Sequence, residues 1–230
     1  MLIKGLQKLT LLDYPGKIAA TVFTYGCNLR CPFCHNASLV LDGRDGGGEI
    51  SEGEFFSFLE KRRGMLEGVC VTGGEPTLSS DLETFLARIR DMGYAVKLDT
   101  NGMLPDRLER IIDAGLVDYV AMDIKNSRES YARTAGIPGL DISRIERSAE
   151  LLMSGRVPFE FRTTVVRELH SDEDIISIGK WLKGDERFFL QCFKDSGDLI
   201  CEGLNGYDKN QMDYLLNLLK EYIPNAEIRG

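Results

Sequence analysis

The sequence predicts an α/β fold: a partial barrel of six parallel β-strands with outer helices, a (β/α)6 arrangement. Three observations point to it. Short apolar runs rich in β-branched residues recur along the chain, and stretches with helical spacing separate them. Alternation of this kind implies crossover connections and a parallel sheet. The 230 residues supply about six such units, too few for a closed eight-fold barrel. With 43% hydrophobic residues, the length fits one domain spanning 1–230 around one sizeable core.

The elements follow in order. Residues 18–24 form an apolar, β-branched run and read as the first strand, with 13–16 as its lead-in. The glycine-rich stretch 42–48 reads as a flexible loop. Ser51 and Glu54 make a capping box that opens a helix reaching about residue 63. Residues 68–72 are strand-like. Leu82, Phe85, Leu86 and Ile89 give 81–92 helical spacing. A strand at 95–99 precedes a helix that starts at Pro105 and ends near Gly115. Strands at 117–124, 159–166 and 187–193 then alternate with helices at 143–154, 172–182 and 208–222. In a partial barrel or an open sheet alike, ligands bind at the carboxyl ends of the strands.

Composition narrows the function classes. The formal net charge is −8, from 36 acidic and 28 basic residues, so duplex nucleic acid would be repelled. Lys4 and Lys8 interrupt the apolar residues at the start, so no signal-peptide core is present, and no apolar stretch is long enough to span a bilayer. The expectation is a soluble, cytoplasmic protein with neither a nucleic-acid nor a membrane partner. Six cysteines stand at 27, 31, 34, 70, 192 and 201, and a reducing compartment argues against a disulfide framework.

Three of those cysteines crowd the loop 25–36, directly after the first strand, as Cys27-x3-Cys31-x2-Cys34. Thiols this close share a metal or are catalytic. Zinc is one reading, since Cys31-x2-Cys34 is a common zinc half-site. A closed zinc site needs a fourth ligand, and Cys70, Cys192 and Cys201 each lack a near partner in sequence. An iron–sulfur cluster is the other reading. A cubane normally takes four thiolates, so three leave one iron open for a substrate.

Further candidates cluster at predicted strand ends. Gly73, Gly74 and Glu75 follow the second strand, and two glycines let the backbone approach a ligand closely, although a plain turn would use them too. Asp99 and Asn101 end the third, where they could equally cap the next helix. Asp123 and Lys125 end the fourth as a potential ion pair. Arg162 lies in the otherwise apolar fifth strand and requires a partner, either Asp123, Glu160 or a ligand carboxylate. His170 reads as an exposed loop residue.

Taken together, these motifs resemble the radical S-adenosylmethionine (SAM) superfamily, and within it the activating enzymes of glycyl radical enzymes. The lead-in Leu11-Leu12-Asp13-Tyr14-Pro15-Gly16-Lys17, the segment Lys97-Leu98-Asp99-Thr100-Asn101-Gly102 and the segment Ala121-Met122-Asp123-Ile124-Lys125 most resemble the long form of anaerobic ribonucleoside-triphosphate reductase activating proteins. The resemblance implies a [4Fe-4S] cluster on Cys27, Cys31 and Cys34 with one open iron. It implies SAM as second cofactor, with Phe33 against adenine, and Gly73, Gly74 and Glu75 at the methionine moiety. Asp99, Asn101, Asp123, Lys125 and Arg162 would stand near the cofactor. The implied activity is reductive cleavage of SAM to a 5′-deoxyadenosyl radical, which forms a glycyl radical on a partner enzyme. The implied partners are the anaerobic reductase and a flavodoxin- or ferredoxin-type electron donor. Residues 13–16 and 42–48 would rim the opening through which a partner peptide enters. The pyruvate formate-lyase type has a histidine where this chain has Gln191-Cys192-Phe193, so no histidine contact to SAM carries over. Two alternatives remain: a radical SAM enzyme acting on a small molecule, as in the deazaguanine-forming synthases, and a non-catalytic zinc module.

Overall fold

Side chains on successive strand residues point to opposite faces, and that alternation organises this protein. The computed structural model describes residues 1–41, 48–185, 187–195 and 197–230. In chain order the elements are β1 (Ile3–Thr10), β2 (Ala19–Thr24), α1 (Ala37–Val40), α2 (Glu52–Glu60), β3 (Gly68–Gly73), α3 (Leu82–Asp91), β4 (Ala95–Thr100) and α4 (Pro105–Asp113). They continue as β5 (Tyr119–Asp123), α5 (Tyr131–Thr134), α6 (Ile142–Met153), β6 (Phe159–Val165), α7 (Asp172–Trp181), β7 (Phe188–Cys192), α8 (Lys209–Lys220) and β8 (Glu227–Arg229). Strands β2 to β7 are the six expected parallel strands, paired in sequence order with helices between them.

Two strands extend the expected six. β1 pairs antiparallel with β2 at one edge, and β8 pairs parallel with β7 at the other, giving one eight-stranded sheet that stays open between β8 and β1. Residues 3–10 had given no strand signal in the sequence. Lys4, Gln7 and Lys8 break any apolar run, and three consecutive positions, 7–9, are exposed, as a strand covered on one edge only allows.

The outer strand face carries the main core. Val22, Val71, Leu98, Val120, Phe161 and Leu190 are fully buried against the helices. α3 contributes Leu82, Phe85, Leu86 and Ile89, all buried as their spacing predicts. The capping box at Ser51 and Glu54 forms as expected. Among the described residues, no helix is long and apolar enough to cross a membrane.

The inner face is different in kind. A small second cluster, Tyr14, Ala19 and Tyr119 with Ala95 against it, fills the inside at the amino ends of the strands. Tyr14 is buried, with its ring 6.2 Å from that of Tyr119. The segment 13–16 therefore closes the amino end of the barrel and cannot rim an opening at the carboxyl ends, correcting the sequence expectation. Residues 42–47 of the second expected rim lie outside the described residues. Above the plug the interior is polar: Thr21 donates to the Asp13 carboxylate, and Glu160 accepts from Tyr119 Oη at 3.1 Å and from Arg229 at 2.8 Å.

This packing yields a prediction. Tyr14→Ala empties the amino-end plug and lowers the unfolding free energy by about 3 kcal/mol, the usual cost of truncating a buried aromatic. Urea unfolding measures it, and an unchanged midpoint would show that the plug is dispensable.

Candidate active site

The cysteine loop is built by the end of β2. After Thr24 the chain turns at Gly26, whose N–H donates to Leu39 O at 2.8 Å. The Arg30 guanidinium folds back onto its own loop, donating to Cys27 O at 2.6 Å and Leu29 O at 2.8 Å. Cys34 N donates to Cys31 O at 3.0 Å, closing a tight turn, and α1 begins three residues later. Cys31 is buried, while Cys27 and Cys34 are half-buried. All three line a cavity at the carboxyl ends of the strands, with Phe33 beside them.

Burial pushes the Cys27 thiol up to about 11 and Cys31 up to about 12, and raises Cys34 as well. A metal centre must displace those protons, as thiolate ligation requires. Among the described residues, no three His, Cys, Asp or Glu side chains converge to hold a single ion. Thiolates that each take a different iron of a cluster need no common point. Leu29 N donates to Cys27 Sγ at 3.4 Å and Asn101 Nδ2 approaches it at 3.7 Å, the kind of contacts that tune a bound cluster.

β3 ends against this loop. Gly73 lies at φ +121°, and a Cβ on it would stand 2.2 Å from Thr24 N. A Cβ on Gly74 would stand 2.0 Å from Gly26 O. The glycine pair thus lets two backbone segments meet, joined by Gly74 N to Thr24 O at 2.9 Å and Glu75 N to Gly26 O at 2.7 Å. Asn36 Nδ2 adds a bond to Gly73 O at 3.3 Å. Glu75 is buried, and its carboxylate is occupied by protein donors: Thr77 N at 3.0 Å, the Thr77 hydroxyl, Thr100 Oγ1 at 2.9 Å and Asn101 N at 2.6 Å. Burial raises its pKa, and these four bonds oppose the rise. The Glu75 side chain therefore acts as a clasp between the ends of β3 and β4.

A chain of charges crosses the inner face. Lys97 pairs with Asp99, Arg162 bridges Asp99 at 3.2 Å and Asp123 at 3.0 Å, and Lys125 meets Asp123 at 3.0 Å. Strand register explains it, since Asp123 lies opposite Arg162 and the pairs Lys97–Asp99 and Ala121–Asp123 share the same face. Burial alone would raise both carboxyls. Arg162 outweighs it, with Lys97 at Asp99 and Lys125 at Asp123, holding Asp99 low and Asp123 at about 2. Lys125 and Arg162 are raised despite burial by the same carboxylates. Arg162 and Lys125 face the cavity beside Asp99 and Asp123, while Lys97 is buried and does not line it. Of the two protein partners expected for Arg162, Asp123 is present, while Glu160 binds Arg229 instead.

Every candidate from the sequence lines this one cavity: the three cysteines, Phe33, Gly73, Gly74 and Glu75, and the polar group Asp99, Asn101, Asp123, Lys125 and Arg162. Asp99 and Asn101 do not cap α4, whose N-cap is Leu104 without a side-chain bond. Asn101 instead turns onto Asn28 Oδ1 at 2.8 Å. His170 corrects an expectation: it is buried, not exposed. Its Nδ1 accepts from Val166 N at 3.1 Å, so Nε2 carries the proton toward Lys125 O at 2.9 Å. Its ring stands edge-on to Phe33 at 6.5 Å, and burial keeps its pKa low. Thr100, Thr164 and Gln191 also line the cavity and were not singled out from sequence. Thr164 had a readable signal, lying two residues beyond Arg162 on the same strand.

The family model of the radical SAM superfamily matches residues 21–182, from within β2 through α7. The chain belongs to the radical SAM superfamily. Members use a [4Fe-4S] cluster and SAM, and a cavity with three thiols, an aromatic ring and two cationic side chains fits that pair. A protein of Methanocaldococcus jannaschii named "Putative glycyl-radical enzyme activating enzyme" is 34% identical over 99% of this chain and 95% of its own length. The pyruvate formate-lyase-activating enzyme of Streptococcus mutans is 28% identical over 86% of this chain and 79% of its own. Within the superfamily, this radical SAM chain groups with the glycyl-radical-enzyme activating family. SuiB of Streptococcus suis, solved bound to its precursor peptide SuiA, superposes with a TM-score of 0.71 over 91% of this chain. The chain spans about half of SuiB, and at 16% identity the likeness shows the fold alone.

Two outcomes follow. Gly74→Ala forces a methyl group into Gly26 O and lowers stability by about 2 kcal/mol or more, measured by urea unfolding. Wild-type stability would show that the two segments can part. The second concerns acid. Asp123 has its folded pKa depressed from 3.8 to about 2, so its contribution is present above 3.8 and lost as pH falls toward 2. The wild type therefore loses stability between roughly pH 4 and pH 2 more steeply than Asp123→Asn, and equal slopes would contradict the pairing.

Proposed function

We propose that this chain is a radical SAM activase that generates a glycyl radical on a partner enzyme, and that anaerobic ribonucleoside-triphosphate reductase is that partner. The observation that carries the activase reading is the single cavity that gathers Cys27, Cys31 and Cys34 with the strand-end residues. The near full-length similarity to the M. jannaschii protein supports it. The choice of the reductase rests on the resemblance of residues 11–17, 97–102 and 121–125.

In this reading Cys27, Cys31 and Cys34 would hold the cluster, and three thiolates rather than four would leave a place for SAM. When bound, the cluster and SAM would supply a transferable electron and a cleavable sulfonium, the chemistry needed to make a radical that takes a hydrogen from the partner's glycine. The protein's own groups bind and orient. Arg162 and Lys125, oriented by Asp99 and Asp123, meet the carboxylate of the cofactor. The Phe33 ring, wedged by His170 and Lys125, receives the adenine face. The backbone of Gly73 and Gly74 lies against the methionine end, while Glu75 positions it through Thr100 and Asn101. Asn101 holds Cys27 and Asn28 in place. No proton transfer by a side chain is required. The partner's glycine segment enters at the carboxyl end, where the sheet is open between β8 and β1, and an external flavodoxin- or ferredoxin-type donor supplies the electron.

A second reading, activation of a pyruvate formate-lyase type enzyme, is favoured by the S. mutans relative. Incubating the anaerobically reconstituted protein with reductant, SAM and each candidate partner separates them. A doublet glycyl radical signal by electron paramagnetic resonance appears with the reductase. A doublet with the lyase alone assigns the other partner, and deoxyadenosine formed without any protein radical points to a small-molecule substrate. Cys31→Ala abolishes cluster assembly and SAM cleavage, and retained cleavage would overturn the ligand assignment.

A further inference from the structure

The residues after β7 clasp the cysteine loop on both sides of Cys34. Cys201 N donates to Pro32 O at 2.9 Å, and the Phe193 ring lies 5.3 Å from that of His35. Asp198 reaches the first turn of α1. Its Oδ2 accepts from Ser38 N at 3.1 Å, and its carbonyl accepts from Ala37 N at 3.4 Å. That turn needs an outside acceptor. The residue at its N-cap, Asn36, makes no side-chain cap bond, because its amide is turned to Gly73 O. Asp198 therefore caps α1 from a distant part of the chain, its carboxylate bonded to the backbone four residues beyond Cys34.

We propose that Asp198 is a positioning residue with two separable roles: its oxygen fixes the loop that carries Cys34, and its negative charge lowers the reduction potential of the cluster held there. The inference rests on the reading that Cys34 is a cluster ligand. The charge role follows from electrostatics. Adding an electron to a cluster is harder beside a carboxylate, and net charge and hydrogen bonding are among the terms that set such potentials.

Two variants separate the roles. Asp198→Asn keeps an acceptor for Ser38 N and removes the charge, while Asp198→Ala removes both. Reconstituted proteins are titrated anaerobically with the reduced cluster followed by electron paramagnetic resonance, and iron is counted after a fixed exposure to a ferrous chelator. Both variants shift the midpoint potential to more positive values by a similar amount, and only Asp198→Ala loses iron faster than wild type. The potential is read on whatever fraction is loaded, so partial loading does not obscure it. An unchanged potential in both variants overturns the charge role, as does a shift confined to Asp198→Ala. Equal iron retention in wild type and Asp198→Ala overturns the positioning role. A wild-type chain that takes up no cluster overturns the ligand reading itself, and this inference with it.

Discussion

The site depends on a close approach of two backbones. Gly73 and Gly74 at the end of β3 lie so near residues 24–26 that no side chain fits between them. That contact lets the N–H groups of Gly74 and Glu75 bond to the chain that leads into Cys27. Glu75 then turns inward and gathers four donors from the ends of β3 and β4. A buried carboxylate is tolerable only when so satisfied. The cysteine loop, the cavity wall at Gly73 and Gly74, and Asn101 are thereby fixed to one another.

The rest of the barrel interior is organised by charge. An apolar outer strand face packs the helices, while the inner face carries Lys97, Asp99, Arg162, Asp123 and Lys125 in one chain. Burying five charges is costly, and hydrophobic substitutes would serve stability at least as well. Their retention makes sense as preorganisation: Arg162 and Lys125 are already oriented by their carboxylate partners, so a bound ligand need not rearrange them. Tyr14 seals the opposite end, which leaves the carboxyl end as the way in.

Much of this was legible in the sequence. The six central strands announce themselves as apolar, β-branched runs because both of their edges are paired and their outer face is buried. β1 does not, since an edge strand with exposed Gln7 and Lys8 has no such run, and β8 is three residues long with charges at both ends. The cysteine spacing and strand-end motifs located the cavity, since every candidate lines it. What sequence could not supply was long-range. The donors that occupy Glu75, the end of the barrel that Tyr14 plugs, and the burial of His170 between Val166 and Lys125 all depend on segments distant in the chain. The glycine pair was read as room for a ligand; the structure shows it is first room for another backbone.

The central claim is that three thiolates at the strand ends hold a cluster with one iron left for SAM. Mössbauer spectroscopy on protein reconstituted with iron-57 tests it most directly. The account predicts a four-iron cluster in which a single iron changes its parameters when SAM is added. Fewer irons per cluster, or a spectrum indifferent to SAM, would contradict it.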